Sequence, residues 1–389
     1  MPRSPAQAIA LDQSCARRIW LRAQRLDERA PFGEGAEAVA RAVQHLGYVQ
    51  IDTINVIERS HHHILFARIP SYRPADLKQA QSIDKSVFEY WTHALAYIPT
   101  RDLRYFVADM KAWRRAQGGW FGSVSPADTA KVLRLIKAGP LSIRDIDDDV
   151  LRDKDHEWAS RKPSKRALQL AFYRGVVTVA ERQGMLKTYD LLLRHFGWAA
   201  LPKPTSATAR AAYLLDRALR AQGIVSLDSI CHLDAPSKAI VRKLIEVRTR
   251  RNELVPIALE GAGKQQHWAS PETVDAAPSE PSGLVHILSP FDPLIIQRKR
   301  THLMFGHDHR FEAYVPKDKR KLGYFALPVL VDDRIVAAID LKTDRQNRRL
   351  LMQQWSWVGE GTARKAPRAA WKRRIEDELH RFEAFQLGA

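Results

Sequence analysis

Gln50 and Asp52, a carboxamide and a carboxylate two residues apart, are the pair in this chain best suited to chemistry. They lie in Gly47-Tyr48-Val49-Gln50-Ile51-Asp52-Thr53, where apolar Val49 and Ile51 alternate with the polar pair. A period of two predicts a short strand. Side chains at i and i+2 of a strand share a face and stand about 7 Å apart. Held there, a carboxylate can take a proton from a water while the amide orients that water. A structural reading competes: Asp52 as the N-cap of a helix opening near Thr53, and Gln50 as an ordinary solvated residue. On pattern alone the structural reading comes first.

Three adjacent histidines, His61, His62 and His63, follow nine residues later. Neighbours in sequence point in different directions, and the i,i+4 spacing with a third ligand that zinc requires is missing. We therefore expect surface or phosphate-contacting histidines and no metal. The only cysteines, Cys15 and Cys231, form no C-x-x-C pair. Neither a disulfide framework nor a cysteine zinc site is expected, and no cofactor motif stands out.

The elements that must position these residues are set by a basic, globular composition. The 389 residues hold 62 Lys and Arg against 44 Asp and Glu, a net charge of +18, with 45% hydrophobic residues. That length supports two to four domains with ample core. The charge excess predicts a polyanionic partner: nucleic acid first, an anionic membrane surface second, and a basic protein without such a partner third. Residues 1–10 lack an apolar signal core, and no apolar run reaches the ~20 residues of a membrane helix. A soluble, cytoplasmic, nucleoid-associated protein with no membrane partner is expected.

Hydrophobic periodicity predicts helices over Ile9 to Leu26 and Glu37 to Leu46, with Gly47 as a stop. Lys85 to Arg115 reads as mostly helical, with Val87, Trp91 and Leu95 on its seam, and Gly118-Gly119 closes this first region. Ser125-Pro126 opens a helix that Gly139-Pro140 closes. Leu141-Ser142-Ile143 is a short strand, Asp145 to Asp155 an acidic stretch, and Lys162-Pro-Ser164-Lys165-Arg166 the start of a second helix. A hairpin over Val176 to Tyr189, turning at Gly184, completes the order of a winged helix-turn-helix. Its second helix, tipped by Lys165 and Arg166, is the element that would enter a DNA groove. The same order recurs over Thr205 to Ile257, and the first region reads as a third copy with insertions. After the Gly/Pro/Ser/Ala-rich stretch 261–283 come strands at Val285–Leu288, Phe311–Val315, Phe325–Val331, Arg334–Ile339 and Leu350–Val358, then a helix over Ala369–Phe385. The fold class is α+β: tandem winged helix-turn-helix modules, then a small C-terminal β-barrel and a terminal helix. The expected domains are 1–120, holding the catalytic strand, 121–201, 202–262 and 263–389.

Several stretches together resemble the YcaQ/AlkZ-like winged-helix DNA glycosylases, over nearly the whole chain. They are Tyr48-Val-Gln50-Ile-Asp52-Thr53-Ile, Arg59-Ser-His61-His62-His63-Ile-Leu, Glu89-Tyr90-Trp91-Thr-His93-Ala and Lys165-Arg-Ala-Leu168. The most specific are Leu288-Ser-Pro290-Phe291-Asp292-Pro293-Leu294, Arg298-Lys-Arg300, Tyr314-Val-Pro316, Lys319-Arg, Gly323-Tyr324 and Leu327-Pro328. This resemblance reverses the order of the two readings of Gln50 and Asp52. It implies a monofunctional glycosylase that removes bulky N-alkylated purines and unhooks interstrand crosslinks. It also implies a Gln-x-Gln or Gln-x-Asp catalytic motif, here Gln50 and Asp52. Members dedicated to self-resistance carry the Gln form, so the Asp form points to broad crosslink repair. The expected partner is double-stranded DNA with alkylated or crosslinked purines, bound by a monomer. His61, His62, His63, Lys165, Arg166, Arg298 and Arg300 are the expected DNA contacts. The alternative function is a non-catalytic winged-helix transcriptional regulator, and behind it a scaffold protein that binds DNA ends. Release of free base separates the enzyme from both.

Overall fold

The structure is a computed structural model and describes residues 8–116, 119–147, 150–154, 156–157, 159–359 and 365–388. The expectations for Gly118, for most of the N-terminal decapeptide and for part of the acidic stretch lie outside those residues. The chain packs as two compact units, Met1–Pro74 with Ala207–Ala389, and Ala75–Ser206.

In the unit 75–206, the segment expected to continue as helix opens as an antiparallel hairpin, Val87–Trp91 with Leu95–Pro99. Its Val, Phe, Tyr and Trp side chains favour a pleated, half-buried surface. The i,i+4 spacing of Val87, Trp91 and Leu95 mimicked a helical seam. Glu89 is fully buried in this hairpin, where Arg182 grips its carboxylate and Gln81 Nε2 donates at 3.0 Å. Burial alone would raise the Glu89 carboxyl, but the Arg182 charge brings it below its ordinary value. The next elements follow the expected order. A helix Pro126–Ala138 is held by a capping box between Ser125 and Asp128, with Pro126 in its first turn. Strand Leu141–Ser142, helix Pro163–Tyr173 and hairpin Val177–Gln183 with Leu186–Leu191 follow. Leu186–Leu191 is the middle strand of this antiparallel sheet.

The other unit begins with a correction. The expected helix from Ile9 is a strand, Ile9–Leu11, and then a helix, Gln13–Ala23. Asp12 separates them: its carboxylate accepts the Cys15 N–H at 2.6 Å and caps the helix. The strand pairs in parallel with Val255–Leu259, which pairs antiparallel with His267–Ala269. Helix Gly35–Leu46 stops at Gly47, whose left-handed φ of +80° only glycine adopts at low cost. Helices Ala207–Gln222 and Lys238–Arg250 bury Leu214, Leu215, Val241 and Ile245 together.

The C-terminal β-barrel is a further correction. Strands Val285–Ile287, Ala326–Val331, Arg334–Asp344 and Arg349–Trp357 form an open antiparallel sheet in that order. Its first strand has three residues, too few to close the ladder on the long last one. Phe311–Val315, expected as a strand, is a loop, because the buried Glu312 accepts the backbone N–H groups of Lys321 and Leu322 at 2.9 and 2.7 Å. The terminal helix Lys365–Gly388 buries Ile375, Phe382 and Phe385, and Phe385 stacks on Phe66 at 4.1 Å.

Candidate active site

Tyr48, Val49 and Ile51 are buried, and the strand they predict is present but short, Val49–Gln50. Gln50 is only 7% exposed. The chain leaves extended pairing at Ile51, so Asp52 sits on the loop that follows and not on the strand itself. Its Oδ1 accepts the Ile54 N–H at 2.8 Å, an i to i+2 turn of the kind Asp favours. No helix begins there. The next one is Ser60–Phe66, so the N-cap reading of Asp52 does not hold.

The loop 51–59 carries no regular structure of its own, yet it is braced from distant sequence. Thr343 N donates to Val56 O at 2.9 Å. The Arg345 guanidinium donates to Asn55 O at 3.2 Å and to Asn55 Oδ1 at 2.9 Å. Gln386 Oε1 accepts the Glu58 N–H at 2.6 Å. At the loop's end, Ser60 Oγ donates back to Gln50 O at 3.3 Å. These contacts hold the backbone that presents Asp52, while the Asp52 side chain stays partly open to solvent. Burial raises the Asp52 carboxyl above its ordinary value, and the Ile54 and Thr53 N–H groups offset only part of that. Asp52 is therefore a carboxylate held by backbone donors, more basic than a solvated one. That combination suits proton acceptance and stabilisation of a nearby positive charge.

Sequence reasoning missed the brace. Thr343, Arg345 and Gln386 lie more than about 280 residues from the loop they hold, and local periodicity carries no signal across such a distance.

The histidines separate. His63 is fully buried, bonds Ile287 O through Nε2 at 2.7 Å, packs on Phe382, and is pushed down to about 4 by burial. His61 is 2% exposed. His62 is partly exposed; its Nδ1 meets the Tyr72 hydroxyl at 2.5 Å and its ring lies 4.2 Å from that of His61. The expectation of three surface histidines is thus corrected to one, because a short amphipathic helix turns its neighbours inward. Arg300 is likewise interior. It is 6% exposed, stacks 4.2 Å above Trp20 and donates to Ile224 O at 2.7 Å. Arg166 is 4% exposed and donates to Trp120 O at 3.1 Å. Burial removes these two guanidinium groups from the accessible surface that phosphate contact needs. Arg298 and Lys165 are exposed, each near the start of its helix.

The Ser289-Pro-Phe-Asp-Pro stretch is also interior. Asp292 is fully buried and takes two hydrogen bonds from Arg68, at 2.7 and 3.0 Å. Gln24 accepts from Arg68 Nε and Nη2 at 2.9 Å, and Ile64 O accepts from Nη1 at 3.2 Å. Asp292 Oδ1 also accepts the Leu294 N–H at 2.9 Å. This is a satisfied ion pair that pins the turn following strand Val285–Ile287, and it is sealed from solvent.

Comparison with known proteins shows the family. A family profile described as DNA glycosylase AlkZ-like matches residues 43–385, which includes Gln50, Asp52, Thr343 and Arg345. The Streptomyces sahachiroi DNA glycosylase AlkZ shares the fold over 98% of both chains, with a TM-score of 0.63 and 16% sequence identity. No described helix is long and apolar enough to cross a membrane. The chain belongs to the AlkZ-like family of DNA glycosylases, and it is an enzyme that hydrolyses N-glycosidic bonds in DNA.

Proposed function

We propose that this glycosylase excises N7-alkylated guanines and unhooks interstrand crosslinks, with Asp52 activating the water and Gln50 positioning it. Alkylation at N7 makes the base cationic, so the electron pair of the breaking C1′–N9 bond neutralises a leaving group that needs no general acid. Positive charge then gathers on the sugar as an oxocarbenium-like centre. The Asp52 carboxylate stabilises that charge and takes a proton from the attacking water, whose oxygen bonds to C1′. The products are the free alkyl base and an abasic site. Gln50, two residues upstream, orients the water or the sugar. His62, Lys165 and Arg298 are the accessible members of the expected contact set and neutralise phosphates.

The observation that carries this reading is a partly open carboxylate on a loop held by hydrogen bonds from three distant residues. A base tethered to the opposite strand cannot be fully extruded, and a carboxylate at an open surface reaches C1′ of such a lesion more readily than one in a closed pocket. The test is a duplex with a nitrogen-mustard crosslink, incubated with the protein and run on a denaturing gel. Wild type converts the crosslinked species to single strands, one carrying an abasic site. Retention of the crosslinked band while monoadducts are released overturns the unhooking half of the proposal. Sedimentation of the complex at one protein per duplex is expected for a monomer.

A further inference from the structure

The loop between residues 310 and 324 holds the stretches Tyr314-Val-Pro316, Lys319-Arg320 and Gly323-Tyr324, and no role described above uses them. It carries Arg310, Lys317, Lys319, Arg320 and Lys321 against Glu312 and Asp318. Glu312 is buried and committed to the backbone N–H groups of Lys321 and Leu322, which leaves Asp318 as the loop's exposed carboxylate. Lys317, Lys319 and Lys321 are exposed, and Tyr314 is 72% exposed.

The loop is irregular but rigidly tied. Val315 N donates to Glu312 O at 3.0 Å, Lys319 N to Pro316 O at 3.0 Å, and Arg320 Nε to Val315 O at 2.8 Å. Phe311 anchors its base between Phe291 at 5.0 Å and Phe325 at 5.7 Å. Its far end is fixed by Asp340, which accepts the Tyr324 and Phe325 N–H groups at 2.7 and 3.1 Å. A Cβ at Gly323, where φ is +121°, would run into the Asp340 carboxylate, so the close approach requires glycine.

Asp340 also locates the loop. It lies on strand Arg334–Asp344, three residues before Thr343, whose N–H holds Val56 of the Asp52 loop. Three strand residues span roughly 10 Å. One end of one strand therefore ties down both the Asp52 loop and the basic, aromatic loop. An exposed aromatic ring on a rigid loop among solvated lysines is the combination that binds unstacked bases and their flanking phosphates.

We propose that this loop is a second DNA contact of the active site, in which Tyr314 stacks on a base left unstacked beside the lesion and Lys317, Lys319 and Lys321 hold the adjoining phosphates. The proposal rests on Asp52 marking the active site, since nearness to that loop is part of its argument. The stacking selects DNA whose helix is already disrupted, because an intact duplex offers no free base face.

The test measures fluorescence anisotropy of the full-length protein with two duplexes, one intact and one carrying a stable tetrahydrofuran abasic site, over a range of salt. Tyr314→Ala weakens binding to the abasic duplex about tenfold and to the intact duplex by less than about twofold, while Tyr314→Phe restores both. Replacing the three lysines by alanine weakens binding to both duplexes and flattens the slope of log K against log salt by about 2 to 3. Tyr314→Ala binding the abasic duplex like wild type, or losing equally on both duplexes, overturns the stacking role. An unchanged salt slope overturns the phosphate role. Base release by Asp52→Asn is followed in parallel. If that variant cleaves like wild type, the active-site assignment fails on its own terms, whatever the anisotropy shows for Tyr314.

Discussion

Two aspartates in one unit of this protein meet opposite surroundings. Asp292 is sealed from solvent, doubly bonded to Arg68, and further satisfied by the Leu294 N–H. Asp52 is partly open, rests on backbone N–H groups, and is held above the ordinary carboxylate value by burial. Both sit in stretches that carry the family resemblance, yet only one is partly open to solvent. A sealed carboxylate tied to a guanidinium organises a fold, whereas one held by peptide N–H groups and partly open to solvent can be reached from outside.

Substitutions at the two sites should part company. Asp52→Asn is expected to slow base release about 10³-fold, since proton acceptance and charge stabilisation are both lost. It should leave the melting temperature at or above that of wild type, because a carboxyl raised in the folded state costs stability at neutral pH. Asp292→Ala should do the reverse. Stranding the Arg68 charge in the core costs about 3–5 kcal/mol, measured by urea unfolding, and activity falls only as the folded fraction falls. Arg68→Met combined with Asp292→Leu should recover part of that loss. If Asp292→Ala instead kept its stability and lost turnover, the division of labour would be wrong.

The brace gives a smaller, intermediate effect. Arg345→Ala frees Asn55 from a distance in sequence, and we expect single-turnover base release to drop about tenfold with unchanged DNA affinity. Arg345→Lys should recover part of the rate. The pH profile sharpens the same contrast. In the proposed role Asp52 works as the carboxylate, and its acid form is favoured by burial, so the rate should fall as pH drops through a value above the ordinary 3.8. Asp292→Ala, where it remains folded, should keep that acid limb. The smallest effects belong to the surface cations. Arg298→Ala and Lys165→Ala should each weaken duplex binding about twofold to fivefold and lessen its salt dependence by up to one unit of slope.

What the sequence revealed and what it hid follow the same physical line. Local signals were reliable: the Ser125-Pro126 start, the Gly47 stop and the Gly184 turn stand where short-range chemistry puts them. The hairpin at Val87–Pro99 was hidden because its apolar residues also satisfy a helical spacing. Asp12 misled because its capping bond ends a strand and starts a helix within an otherwise continuous apolar pattern. The open sheet in place of a barrel depended on the length of one edge strand and on Glu312 folding a strand-like stretch into a loop. The short strand at Gln50 was legible, but the loop that takes Asp52 off it was not. The inward turn of His61, His63, Arg166 and Arg300 was not, since burial of a polar side chain depends on partners remote in sequence, such as Ile287 and Ile224.

The most direct test of the Asp52 assignment is single-turnover release of 7-methylguanine from a defined duplex, at saturating enzyme, by wild type and by Asp52→Asn. We expect free base and an equal yield of abasic sites from wild type, and a rate about 10³-fold lower from the variant with DNA affinity within about twofold. Equal rates from the two proteins would contradict the assignment and move the catalytic carboxylate elsewhere.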